Sequence, residues 1–314
     1  MQKDKKIVIT GAAGLVGQNL VLLLREKGYN NIVAVDKNKT NLELLRQLNP
    51  GVKTILADIA EDCAWTDIFS ETDCVIMLHA QITGIYYQDF VKNNIRATEK
   101  ILEKIIKHKV SYTIHVSSSV VHSVAEDYYT QTKIDQEKLV MASGINCCVL
   151  RPTLMFGWFD PKHLGWLAKF MERVPVFPIP GNGKYLRQPL YSRDFCEVII
   201  SAMEKRPVNK IYDIVGREQI NYVDMIKAVK RAKQLKTAIV SIPYWLFYSL
   251  LKMYALFNKK PPFTADQLKA LTAGDYFTGV DTKEIFGVQM TEFDKAIKET
   301  FNHSVYSKIK VGIS

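Results

Sequence analysis

Runs of β-branched and apolar residues alternate with helically spaced stretches through the first half of the chain. KIVIT (6–10) is a continuous apolar run suited to a strand buried on both faces. Positions 15–27 place apolar residues at helical spacing, and Gly28 stands where a helix-ending glycine belongs. The pattern then gives strands at NIVAVD (31–36), VKTILAD (52–58) and DCVIMLHA (73–80), with helices from about Asn41 and over 64–69 between them. A long helix over 87–108 leads to a strand at YTIHVSS (112–118). Next come a helix over 127–143 stopped by Gly144 and a strand at INCCVLRP (145–152). This alternation predicts an α/β fold, a doubly wound parallel sheet of Rossmann type.

After Pro152 the rhythm breaks. VPVFPIPGNG (174–183) is rich in Pro and Gly and reads as loop. A helix over 192–205 and an apolar run at IYDIV (211–215) are expected to rejoin the sheet, and helices follow over 222–233, 244–257 and 265–272. The expected organisation is a dinucleotide-binding unit of 1–152 joined by 190–215. A smaller, mostly helical substrate-binding region of 153–189 and 216–302 covers the strand ends, and 303–314 is a tail.

The 314 residues, 47% apolar and 24% charged, are enough for a sizeable core without disulfides. The net charge of +10 raises nucleic acid as a partner. The basic residues, however, scatter over helix surfaces (Lys100, Lys104, Lys107; Lys227, Lys230, Arg231, Lys233), with no reader motif among them. Nucleic acid is therefore not expected, and the surplus suits an anionic small substrate. Five cysteines show neither CxxC spacing nor a paired Cys/His metal pattern, so no metal is expected and a reducing cytoplasm is. The segment 242–257, IPYWLFYSLLKMYALF, is too short to span a bilayer and is interrupted by Lys252. A buried or partner-facing helix and one lying on a membrane surface both stay open.

VITGAAGLVGQNL sets Gly11, Gly14 and Gly17 at a strand-to-helix junction, where missing side chains let backbone N–H groups approach a pyrophosphate. Asp36 ends the next strand, where a carboxylate pairs with a ribose 2′-hydroxyl and repels a 2′-phosphate. NAD is therefore expected over NADP, with neighbouring Lys37 the one opposing charge. Asp58 could accept a hydrogen bond from the adenine amino group, or simply cap a turn.

In DYYTQTKIDQEK, Tyr129 and Lys133 lie four apart and share one helix face. An ammonium beside a phenol lowers its pKa and suits it to proton exchange. Tyr128 has the uncharged Thr132 at the same spacing, so Tyr129 is the better candidate. The preceding strand ends in Ser117-Ser118-Ser119, facing the crevice where open α/β sheets bind ligands.

From about Lys6 to Phe301 the chain resembles the extended short-chain dehydrogenase/reductases, the NAD-dependent epimerase/dehydratase group. TGAAGLVG is similar to that family's TGxxGxxG, Asp58-Ile59 to its adenine-contacting pair, and Asn94-Ile95 through Thr98 to its N-[VI]-x-x-T element. SSSVVHS resembles SSxxVYG, YTQTK matches YxxxK, RPTLMFG resembles RPxxVYG, and GNGKYLRQPLYSRD is similar to GxGxxxRxxxYVxD. The resemblance implies Ser118, Tyr129 and Lys133 as catalytic. It implies cofactor contacts from Gly11, Gly14, Leu15, Val16, Gly17, Asp36, Asp58, Ile59, Ala80, Gln81 and Asn94, together with Pro152 and Thr153. Thr83, Ser119 and Arg187 are implied to line the substrate, with Arg187 on a diphosphate, Asp194 in the local scaffold, and a homodimer built through the helices at 87–108 and 127–143.

Departures from the family narrow the reading. Ser119-Val120 stand where 4,6-dehydratases carry an acidic pair, which disfavours elimination chemistry. His122 replaces the usual Tyr, and Ser123 the usual Gly. The expected function is an NAD-dependent epimerase or ketoreductase acting on a nucleotide-activated sugar at C4. A dehydrogenase of a steroid-like alcohol and a non-catalytic NAD-binding assembly or sensor protein are the alternatives.

Overall fold

The structure is a computed structural model that describes residues 2–62, 64–123, 127–257, 268, 269, 271, 272, 274, 277–309, 311 and 312. The chain opens with β1 (Lys6–Thr10), α1 (Leu15–Glu26), β2 (Ile32–Asp36), α2 (Lys39–Leu48), β3 (Lys53–Leu56) and β4 (Thr72–Met77). The expected long helix runs as α3 (Tyr87–Phe90), a π-helical insert (Val91–Arg96) and α4 (Ala97–Lys107). Next come β5 (Tyr112–Val116), α5 (Tyr128–Ala142), β6 (Cys147–Pro152), β7 (Met155–Phe156), α6 (Leu164–Met171), β8 (Val176–Pro180), β9 (Leu186–Arg187) and β10 (Leu190–Tyr191). The described remainder holds α7 (Ser192–Lys205), β11 (Lys210–Ile214), β12 (Ile220–Asn221), α8 (Tyr222–Ala232), β13 (Ala238–Ile242), α9 (Tyr244–Phe257), α10 (Thr282–Phe286) and α11 (Phe293–Asn302).

Seven strands form one parallel sheet in the order β11-β6-β5-β4-β1-β2-β3. Alternate residues of each strand enter different cores, which is why the apolar runs are continuous. Ile7, Ile9, Ile76 and Ile114 pack with Leu20, Leu24, Phe195 and Ile199 under α1 and α7. Val8, Val35, Val75 and Met77 pack with Ile101, Ile105 and Val140 under α4 and α5. The strand order reverses direction beside β1, so the chain leaves β1 and β4 toward opposite faces and opens a crevice at their carboxyl ends. A third core, with Phe156, Leu167, Ile179, Ile226 and Ile297, belongs to the C-terminal region.

β11 rejoins the sheet beside β6, as expected from IYDIV. The expected loop at 174–183 is corrected: β8 pairs in parallel with β13. A two-stranded ribbon leaves each strand one unpaired edge, where Pro178 and Pro180 lose no ladder bond. The expected helix at 265–272 lies mostly outside the described residues. The tail packs back on the sheet domain, with Val311 beside Leu22 and Trp158, and Gly312 N donating to Asn41 Oδ1 at 2.9 Å. No described helix is long and apolar enough to cross a membrane.

Candidate active site

The three glycines of the turn after β1 have different reasons to be glycine. Gly11 has φ +68°, and a Cβ there would lie 2.6 Å from His79 N, so the turns after β1 and β4 touch. A Cβ on Gly17 would meet Ala12 O at 2.3 Å, because α1 packs directly against the turn. Gly14 is exposed at the start of α1 with φ −79°, and its nearest neighbour would be Gly11 O at 3.5 Å. No side chain caps α1 and no acidic residue stands in its first turn. Its unsatisfied N–H groups and positive dipole end therefore face open space, which fits a diphosphate. Leu15 is half-buried, and Val16 and Gly17 are buried in that same turn.

Asp36 ends β2 beside this turn, with Oδ2 accepting from Ala13 N at 2.9 Å and Oδ1 from Asn38 N at 2.8 Å. Burial raises its pKa while those bonds oppose the shift. Lys37 turns away, donating to Asn93 Oδ1 at 2.6 Å. Asp58 accepts from Ala60 N at 3.0 Å and pairs with Lys92 at 3.2 Å. Burial acts to raise its pKa, but these partners bring it below the ordinary value. Ile59 lies in the core beneath it.

Beyond β4, Ala80 is exposed and Gln81 N donates to Asn94 Oδ1 at 2.7 Å. Asn94 Nδ2 reaches Thr132 Oγ1 at 2.9 Å. Asn94, expected at the cofactor, is fully buried, and its amide fastens the β4 turn to α5. The π-helical insert carrying it is the local distortion that aims it there. Thr83 is exposed, and its carbonyl accepts from Gln81 Nε2.

At the end of β5 the three serines separate. Ser117 and Ser119 are buried at 4% and 5% exposure, whereas Ser118 is half-buried and lies beside the Tyr129 side chain. Burial pushes the Tyr129 phenol up to about 12, with Ser118 opposing and the Asp127 charge adding. Tyr128 points elsewhere, packing on Tyr87 at 5.2 Å between ring centroids. Lys133 is fully buried and donates to Val116 O at 3.0 Å and to Gln136 Oε1 at 2.5 Å. Burial brings it down to about 7, against the opposing charge of Glu137. The expected ammonium-lowered phenol is thus not the arrangement of the chain itself. A buried ammonium must find acceptors, and the Val116 carbonyl and Gln136 amide are the ones it reaches.

Behind Lys133 lies a polar network that the sequence patterns did not indicate. Gln136 Nε2 donates to Thr98 Oγ1 at 2.8 Å and lies 3.2 Å from His79 Nε2, while His79 Nδ1 meets Thr10 Oγ1 at 2.9 Å. Burial and the nearby Lys133 hold His79 down to about 3. His115, also fully buried, has no hydrogen-bond partner on either ring nitrogen among the described residues. The available signal was Gln136 three residues beyond Lys133, on the same helix face.

On the C-terminal side, Thr153 is buried, with its N donating to Ile214 O at 3.0 Å and Oγ1 to Gln188 O at 2.8 Å; Pro152 before it is buried as well. Arg187 is only 7% exposed and donates to the Leu271 carbonyl beside Tyr185 and Tyr222. Asp194 accepts from Thr291 N and Oγ1, both at 2.7 Å, and so braces the local scaffold. His122, in place of the family's Tyr, meets Asp213 at 2.7 Å.

A glycine turn at the switch point of a parallel sheet, with Ser118, Tyr129 and Lys133 across the crevice, defines a dinucleotide-binding fold of the short-chain dehydrogenase/reductase class. The chain belongs to the NAD dependent epimerase/dehydratase family, whose pattern matches residues 7–215. The cofactor expected from Asp36 is the one in the family's description. The chain is 24% identical to the mouse (Mus musculus) decarboxylating sterol-4-alpha-carboxylate 3-dehydrogenase, over 96% of this chain and 92% of that protein. It is 26% identical to the mitochondrial subunit 9 of the NADH dehydrogenase 1 alpha subcomplex of Dictyostelium discoideum, over 83% and 73%. Its fold is similar to that of the UDP-glucose 4-epimerase from Thermotoga maritima, solved with UDP-glucose. That match has a TM-score of 0.75 at 21% identity and covers 94% of this chain and 97% of that one.

Proposed function

We propose that this chain exchanges hydride at a sugar carbon, C4 favoured, of a nucleotide-activated sugar, as an epimerase or ketoreductase. The carrying observation is the placement of Ser118 and Tyr129 side by side at the carboxyl end of β5, with Lys133 buried one helical turn from the tyrosine. Bound NAD supplies the hydride chemistry; the chain supplies position and protons. Ser118 holds the reacting oxygen, and Tyr129 gives or takes its proton. Lys133, now on Val116 O and Gln136, would hold the nicotinamide ribose. Asp36 receives the adenosine ribose, the start of α1 receives the diphosphate, and Arg187 leaves the Leu271 carbonyl for the substrate diphosphate. The long helices of residues 87–107 and 128–142 form a homodimer interface in this reading.

A second reading, a dehydrogenase of a steroid-like alcohol, is favoured by the sterol dehydrogenase relative matching over nearly both full lengths. One experiment separates the two. The protein is incubated with NAD and nucleotide sugars, 4-keto sugars and hydroxysteroids, following NADH and product stereochemistry. Turnover on a nucleotide sugar that falls about a thousandfold in Tyr129→Phe, with NAD affinity kept, supports the proposal. Turnover on the steroid alone replaces the substrate, and tight NAD binding without any turnover replaces the enzyme by a binding protein.

A further inference from the structure

α9 is a mostly apolar helix, and none of its described side chains (244–255) is buried. Trp245, Leu246, Ser249, Leu250, Met253 and Tyr254 recur at i, i+1, i+4 and i+5, so they form one continuous face. Trp245 is 69% exposed and Met253 53%, while Phe247, Tyr248 and Leu251 on the opposite side are half-buried. β13 (Ala238–Ile242) leads directly into α9, and its ribbon with β8 also exposes apolar residues. Phe177 and Ile179 point into the core, whereas Val176 and Val240 stand outward at 47% and 43% exposure. An exposed apolar face of this extent on a soluble chain marks a docking surface.

Charge identifies what docks. Between Asp224 and Asp266 the sequence holds eight Lys or Arg residues and no acidic one. Lys227, Arg231 and Lys233 pair with acids. Lys236 and Lys252 are exposed, with Lys252 standing 5.7 Å from the Tyr248 ring centroid. A second copy would set basic face against basic face. Trp and Tyr beside Leu and Met, flanked by lysines, are instead the composition that lies in a bilayer interface and is drawn to anionic headgroups.

We propose that α9 and the outer side of the β8–β13 ribbon seat this protein on a bilayer surface carrying anionic phospholipid. The seat is independent of the NAD chemistry, so vesicle binding and cofactor binding report separately.

The test is co-flotation of the full chain with phosphatidylcholine vesicles and with vesicles containing about 30% phosphatidylserine. The wild type floats with the anionic vesicles and, at least about tenfold less, with the neutral ones. The pair Trp245→Gln with Leu250→Gln loses at least about tenfold of that binding while NAD affinity stays at the wild-type value. Lys236→Glu with Lys252→Glu, which leaves the apolar face intact, also weakens anionic binding and serves if the first pair misfolds. Failure of the wild type to float, equal flotation with both vesicles, or full binding by both variant pairs overturns the proposal. So does a sedimentation dimer that the Trp245/Leu250 pair dissolves, which would make a second copy the occupant.

Discussion

Gly14→Ala separates a glycine required by the fold from one required by a ligand. Gly14 has φ −79° and ψ −179°, which alanine adopts without strain, and the new methyl would lie 3.5 Å from its nearest neighbour, Gly11 O. Reduced unfolded-state entropy favours the variant by ~0.4–1 kcal/mol. Alanine is a poorer helix N-cap than glycine by a similar fraction of a kcal/mol. The two terms offset, so Tm stays within about 3 °C of wild type.

Cofactor binding responds differently. In the proposed pose the added methyl would compete with a phosphate oxygen for the open space at the uncapped start of α1. Losing a charge-assisted bond there costs ~1.5–3 kcal/mol, an NAD affinity about 10- to 150-fold weaker. Thermal melts beside calorimetric NAD titration measure both quantities. Gly17→Ala, whose Cβ would sit 2.3 Å from Ala12 O, serves as the opposite control and lowers Tm markedly. If Gly14→Ala binds NAD within about twofold of wild type, the diphosphate does not lie on this helix end. If it melts as Gly17→Ala does, the space around Gly14 has been misread.

Asp36→Asn keeps an acceptor for Ala13 N but removes the charge, so the ratio of NAD to NADP affinity falls at least about tenfold; an unchanged ratio contradicts the repulsion argument. Gln136→Leu takes one acceptor from Lys133, and kcat falls about tenfold with KM for NAD little changed. A parallel shift in the inflection of the pH–rate profile distinguishes this from a merely structural effect. Lys133 itself titrates near 7 in the fold against an ordinary 10.5. Between those values the unfolded chain holds a proton that the native chain has released, so stability gained through Lys133 rises with pH across that window. Urea melts at several pH values should show this slope in wild type and not in Lys133→Met; a slope of opposite sign refutes the burial argument.

The sheet was legible because its strands are buried on both faces and read as unbroken apolar runs, from KIVIT to INCCVLRP. β8 was not, since its prolines mimic loop composition and only the ribbon with β13 explains them. Gly11, Gly14 and Gly17 were recognisable together from spacing, but their separate roles depend on which atoms a Cβ would meet, a tertiary quantity. Ser118 could be favoured among the three serines, and in the fold it is half-buried while Ser117 and Ser119 are buried. For Asn94 the motif records position, whereas the amide's bonds to Gln81 and Thr132 are visible only in the fold. The environment of Lys133 was the least legible part, because His79, Thr98 and Gln136 come from three different elements.

That environment ties the two halves of the site together. Thr10 immediately precedes Gly11, and its hydroxyl meets His79; His79 and Thr98 meet Gln136, which holds Lys133. A buried polar chain of this kind is stable only when its members are satisfied, and satisfied it leaves each link little freedom. The glycine turn that would receive a diphosphate and the lysine that would receive a ribose are therefore braced by one set of hydrogen bonds beneath the sheet's carboxyl ends. Burial disfavours the charged forms of Tyr129 and Lys133 alike. The fold thus holds both groups in place with their charged forms disfavoured, and a positive charge brought beside the phenol would favour its proton release.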